Sequence, residues 1–274
     1  MPHVTVNGAR LWYEVRGSGA PVLFHHGYTA SRVNWLPVVD RLEDRYQCVL
    51  MECRGTGDSE HTTAGYTLEQ YAADAIGVMD HLGIETFTYA GHSMGGGIGY
   101  VLAFTYPQRV DRLILMAAIP ADGFPTAIGR AVTQPTEADR PTMLARYQTQ
   151  RFRPESETDE WFEDRLRHVL GVSNQHYVDG MQAMATLSIG ERLGELTMPA
   201  LVIAGGADGL LPANLKDFGR LPNATLQVFS HAGHEVSIHE PDGVARCIDD
   251  FLTMGVITAN TLAQRVADAG LPPR

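Results

Sequence analysis

The chain has 274 residues, of which 44% are hydrophobic, 8% aromatic and 19% charged, a composition that buries a sizeable core and excludes intrinsic disorder. Its 32 acidic side chains outweigh 21 lysines and arginines for a net charge of −11, and Lys216 is its one lysine; such a surface repels a phosphate backbone, so nucleic acid is not an expected ligand. The longest uncharged apolar run, Leu113 to Ala121, falls far short of the roughly 20 residues of a membrane span, and the start MPHVTVNGAR lacks the apolar stretch of a secretory signal, so no membrane contact and a cytoplasmic location are expected.

Val4 and Val6 alternate with polar residues, Asn7-Gly8 is a hairpin turn signal, and Leu11, Tyr13 and Val15 continue the alternation. Strands are predicted at 21–25 and 46–51. Over 68–82 the residues Leu68, Tyr71, Ala72, Ala75, Ile76, Met79 and Leu82 keep helical spacing behind a Thr67-x-x-Gln70 capping box. A strand at 86–90, a helix from Met94 to about Tyr106 and a strand at 112–117 follow. From 121 to 195 the pattern holds no strand but helical patches at 141–152, 158–170 and 175–189, too long a stretch for a loop. Strands at 199–204 and 225–229, a helix at 242–252 and a short tail helix fraying at Leu271-Pro272-Pro273-Arg274 close the chain. The strands are mostly too continuously apolar to be half-exposed. Their alternation with helices predicts an α/β fold: a mostly parallel, eight-stranded sheet wrapped on both faces, in a core domain of 1–120 and 196–274 interrupted by a helical insertion at 121–195.

Chemistry concentrates after the 86–90 strand, at Gly91-His92-Ser93-Met94-Gly95. A G-x-S-x-G string between a strand and a helix places the serine on a strained turn, which needs small residues two positions to either side. A serine hydroxyl is a weak nucleophile without a base and a group to orient that base. Asp208 follows the 199–204 strand and His234 the 225–229 strand, which puts Ser93, Asp208 and His234 in chain order at the ends of successive strands. His231 and His239 flank His234 as rivals, read as loop support and helix start, and Asp122 stands after the 112–117 strand. His234-Glu235 and His239 do not have the spacing of a zinc motif, no glycine-rich phosphate loop is present, and Cys48, Cys53 and Cys247 lack metal or disulfide spacing, so neither metal nor cofactor is expected. The amide of Met94, next to the nucleophile at a helix N-terminus, is one expected oxyanion donor.

These motifs, with the His26-Gly27 turn, the Arg54-Gly55-x-Gly57-x-Ser59 turn, and Gly233-His234 followed by Glu240-Pro241, resemble the α/β-hydrolase superfamily in its capped serine-hydrolase branch. The resemblance covers nearly the whole chain. It implies a helical cap after the sixth strand, a second oxyanion amide at Tyr28, and hydrolysis of a small-molecule carboxylic ester or lactone without a cofactor. Alternatives it leaves open are carbon–carbon hydrolysis of vinylogous diketones, whose enzymes tend to show asparagine where His92 stands, perhydrolase or haloperoxidase activity, and a small-molecule receptor. Asp122 occupies the position of the alternative triad acid seen in some relatives, and Glu52 stands where the family usually has aspartate and is expected to be structural. Candidate substrate contacts are His26, Trp35, His92 and, from the insertion, Trp161, Phe162, Tyr177, Met181 and Met184; Trp35 is equally readable as a core residue.

Overall fold

Asn7 and Gly8 both take positive φ, 48° and 73°, as a two-residue hairpin turn of type I′ demands, and fold β1 (His3–Val6) onto β2 (Ala9–Arg16). In the computed structural model, which describes residues 2–270, the chain continues through β3 (Ala20–His25), the short α1 (Leu36–Val39) and β4 (Tyr46–Met51). Next come α2 (Leu68–His81), β5 (Phe87–His92), α3 (Met94–Thr105) and β6 (Val110–Met116). The insertion carries α4 (Arg140–Thr149), α5 (Asp159–Gly171) and α6 (Asn174–Thr186), and among the described residues no strand lies between β6 and β7. The chain then returns through β7 (Ala200–Gly205), α7 (Leu211–Phe218), β8 (Ala224–Phe229), α8 (Val236–His239), α9 (Pro241–Met254) and α10 (Ala259–Asp268). The frayed end expected at 271–274 lies outside the described residues. Among those residues no helix is long and apolar enough to cross a membrane.

The eight strands form one sheet in the order β1-β2-β4-β3-β5-β6-β7-β8, with β2 antiparallel to both its neighbours and the remaining pairs parallel. The period-two geometry of a strand sends adjacent residues to opposite faces. Leu23, Val49 and Leu113 therefore pack with α2 and α3 on one side, while Phe24, Leu50 and Ile114 meet α1 and α9 on the other. Each such buried side chain stabilises the fold by about 1.5–3 kcal/mol. The strand order decides the position of the site. From β3 the chain moves outward to β4 and then comes back to β5 on the other side, so the carboxyl ends of β3 and β5 open a crevice at a topological switch point.

One local expectation is corrected. Thr67 Oγ1 accepts the Gln70 N–H at 3.1 Å as a cap, but the Gln70 amide does not reach back to complete the box. It donates instead to Asp74 Oδ1 at 2.9 Å, because Asp74 is a buried carboxylate that also receives Arg54 in a bidentate pair, both contacts at 2.7 Å.

Candidate active site

Ser93 joins β5 to α3 with φ 55° and ψ −114°, a conformation that costs a non-glycine residue about 1–3 kcal/mol and persists only where its surroundings hold it. They do: its N–H donates to Met116 O at 2.9 Å, and its carbonyl accepts the N–H groups of Gly96 at 2.9 Å and Ile119 at 3.1 Å. The flanking glycines are obligatory for steric reasons. A Cβ on Gly91 would lie 2.2 Å from Gly95 O, and one on Gly95 would lie 2.5 Å from His25 O.

The structure brings Ser93, His234 and Asp208 together at the carboxyl edge of the sheet. His234 Nε2 is 3.0 Å from Ser93 Oγ, and His234 Nδ1 is 2.9 Å from Asp208 Oδ2. A carboxylate can only accept, so Nδ1 carries the proton and Nε2 offers its lone pair to the serine hydroxyl. Asp208 is steadied by the Leu210 N–H, 3.0 Å from Oδ1. Burial acts to lower the pKa of the His234 ring, but the hydrogen bond it donates to Asp208 and the charges of Glu235 and Asp208 outweigh it, and the net shift is upward. For Asp208 burial acts upward, and the hydrogen bond and charge of His234 hold the carboxyl below its ordinary value.

These three residues open on a cleft of about 560 Å³ whose walls are mainly apolar. Ile119 and Leu210 come from the core, while Phe124, Arg165 of α5, and Met181 and Met184 of α6 come from the insertion. Tyr28 and Thr29, on the loop after β3, form the remaining side. That loop passes close to the serine, since a Cβ on Gly27 would lie 3.0 Å from Ser93 Cβ. Neither the Tyr28 nor the Met94 amide donates to a loop, turn or cap acceptor among the described residues.

Several sequence candidates sit elsewhere. Trp35 is fully buried, its indole N–H donating to His25 O at 3.0 Å, so it packs the core and does not face the cleft. His26 is also buried; its Nδ1–H donates to Gly27 O at 2.8 Å and its Nε2 accepts the Cys53 N–H at 3.1 Å, which braces the loop carrying Tyr28. Burial pulls the pKa of His92 down to about 4, so the ring is neutral, and its Nε2–H donates to the His234 carbonyl at 3.0 Å. It supports His234 from behind and is not among the residues that line the cleft. Trp161 and Phe162 face a separate cleft with Tyr147, Glu157 and Glu235. Tyr177 takes the Tyr28 hydroxyl on its carbonyl, and the two rings lie 5.6 Å apart. Met181 and Met184 are the insertion candidates that do reach the cleft. Asp122 pairs with Lys216 at 2.8 Å and Arg220 at 2.9 Å, and Glu52 is buried against Arg32 at 2.8 Å.

Two charged residues escaped the sequence reading. Glu235 accepts from Asn34 Nδ2 and stands 3.9 Å from Arg165, whose guanidinium donates to Thr29 O at 2.6 Å. The only signal for Glu235 is its place directly after His234, and Arg165 carries none, being one of many charges on an insertion helix.

Residues 20–241 match the model of a family described as the alpha/beta hydrolase fold. The chain is 31% identical over 248 residues to the dihydrolipoyllysine-residue acetyltransferase component of the acetoin cleaving system of Cupriavidus necator, an alignment covering 84% of this chain and 63% of that relative's length. It is 30% identical over 267 residues to 2-hydroxy-6-oxononadienedioate/2-hydroxy-6-oxononatrienedioate hydrolase 1 of Dechloromonas aromatica, covering 89% and 91%. Among solved structures, the enol-lactonase of Burkholderia xenovorans superposes with a TM-score of 0.79 at 25% identity, over 92% of this chain and all of the other, 100%.

Proposed function

The chain belongs to the α/β-hydrolase family, and we propose that within it the protein is a serine hydrolase cleaving a carboxylic ester or lactone through an acyl-enzyme. The observation that carries this reading is the relay from Asp208 through His234 to Ser93, with contacts of 2.9 and 3.0 Å, opening on a mainly apolar cleft. Ser93 Oγ attacks the acyl carbon while His234 Nε2 takes the hydroxyl proton, and Asp208 stabilises the resulting imidazolium. The negative charge on the former carbonyl oxygen is received by the Tyr28 and Met94 amides, the latter at the N-terminus of α3 where the helix dipole adds to it. Collapse breaks the acyl–oxygen bond. The leaving alkoxide takes the proton from His234; in a lactone it stays tethered to the acyl group. Water, deprotonated by His234, then attacks the acyl-enzyme and releases the acid and free Ser93. In this reading 1–120 with 196–274 is the catalytic core and 121–195 the cap that roofs the cleft.

The 30% identity to a hydrolase of oxononadienedioates favours a second reading, carbon–carbon hydrolysis of vinylogous diketones on the same three residues. The deciding experiment is fluorophosphonate labelling combined with turnover of a panel of esters, lactones and such diketones. Ser93→Ala is expected to abolish labelling and turnover with the fold intact, and Asp208→Asn to lower kcat by several orders of magnitude. Turnover by Ser93→Ala near the wild-type rate, or a larger loss from Asp122→Asn than from Asp208→Asn, overturns the assignment.

A further inference from the structure

His239 of α8 takes part in none of these steps, yet its side chain is only 2% exposed. Its Nδ1 accepts the N–H of Gly233, the residue before His234, at 3.0 Å. A ring nitrogen that accepts an N–H carries no proton, so the His239 proton is on Nε2, which donates to Glu157 Oε1 at 2.9 Å. Glu157 belongs to the insertion, just ahead of α5, and its side chain is 9% exposed. Its other oxygen accepts the N–H groups of Phe152 and Arg153. The Phe152 ring rests on the His239 ring with centroids 5.5 Å apart. Arg153 Nη1 donates to His231 O at 2.8 Å and to Glu240 Oε1 at 2.9 Å. The stretch 152–157 thus grips the 231–240 loop on both sides of His234.

We propose that Glu157 and His239 are a latch through which the insertion positions the base: seating of 152–157 fixes Gly233, and with it the orientation in which the His234 ring meets both Ser93 and Asp208. The proposal rests on reading His234 as the base. The physical ground is that both partners are buried and mutually satisfied. Removing either partner leaves a buried carboxylate or imidazole N–H unpaired, which costs more than the net worth of the bond and holds 152–157 in its seat. Small displacements of a catalytic group carry large rate penalties. A roof that only shaped the cleft would need no such contact with the histidine loop, and Met181 and Met184, which line the cleft, take no part in it.

The test uses p-nitrophenyl acetate, an ester too small to depend on a roof for binding. Glu157→Gln keeps volume but turns one of the two acceptor oxygens into a donor that faces either the His239 N–H or the backbone N–H groups. It and His239→Gln are expected to lower kcat at least tenfold with KM within about twofold, and to move the acidic midpoint of kcat/KM downward as His234 loses its alignment with Asp208. A folded Glu157→Gln with wild-type kcat and an unmoved midpoint overturns the latch. Phe152 is 43% exposed, so Phe152→Ala does not put folding at stake; if the buried variants do not fold, it decides alone, with a loss in kcat of twofold or more expected and an unchanged kcat overturning the latch. Ser93→Ala, assayed alongside, separates the two ideas: turnover there defeats the reading of the site itself, whereas its loss beside unaffected latch variants defeats the latch only.

Discussion

At His234 burial is outweighed: the hydrogen bond to Asp208 and the charges of Glu235 and Asp208 hold the ring's pKa above the ordinary histidine value despite its desolvation. The neutral ring is the base in the proposed mechanism, so kcat/KM is expected to rise with pH through a midpoint above the roughly 6.5 of an unperturbed histidine. Glu235→Gln removes a negative charge that favours the imidazolium while keeping the side chain's shape. The midpoint should therefore fall towards, or below, the ordinary value. Paired pH profiles check this, and a midpoint that stays or rises shows that Glu235 does not set it. Neither the direction of this shift nor its source was visible in the sequence, because the charge of Glu235 counts only once Asn34 and Arg165 hold it beside the ring pair His92 and His234, whose centroids are 4.9 Å apart.

Helices α5 and α6 differ in what their apolar side chains meet, although both read in the sequence simply as helical patches. On α6, Met181 and Met184 form cleft wall, while on α5 Trp161 and Phe162 turn to the neighbouring cleft beside Tyr147. Met181→Ala and Met184→Ala are expected to raise kcat/KM for a bulky acyl ester relative to a short one by about tenfold, the scale on which apolar pockets discriminate. Trp161→Ala is expected to leave that ratio within about twofold, roughly 0.4 kcal/mol. Steady-state kinetics with the two esters measure it, and a larger effect at Trp161 than at either methionine would move the substrate into the second cleft. The sequence marked these stretches as helical and Trp161, Phe162, Tyr177, Met181 and Met184 as candidate contacts. It carried no information about the partner, because helix rotation is set by packing against distant segments.

Four histidines, His25, His26, His92 and His176, are buried with their pKa values pushed down by desolvation, His26 and His92 to about 4 and His176 to about 3. In the unfolded chain each titrates near 6.5, so between that pH and about 4 the unfolded state binds more protons than the native state, and stability falls as pH falls. Each contributes a slope of up to about 1.4 kcal/mol per pH unit in that window. His234, with its raised pKa, acts in the opposite sense near neutrality, but it is one ring against four. Urea unfolding from pH 7 to pH 4.5 is expected to show a midpoint that drops steeply with acidity, and a flat midpoint would mean that these rings do not titrate on unfolding.

What the sequence determined by itself was set by neighbours within a few residues. The Asn7-Gly8 turn, the alternation of strand and helix, and the glycines around Ser93 are steric and capping signals of that range, and from them follow the sheet, the elbow and the chain order of Ser93, Asp208 and His234. Tertiary structure decided which groups meet across the chain. It drew Asp122 away to Lys216 and Arg220, turned His26 and His92 into braces for the loops of Tyr28 and His234, and set Glu157 of the insertion against His239. These outcomes depend on the mutual approach of segments far apart in sequence, where a side chain's partner is chosen by the packing of whole elements and by the cost of leaving a buried polar group unpaired.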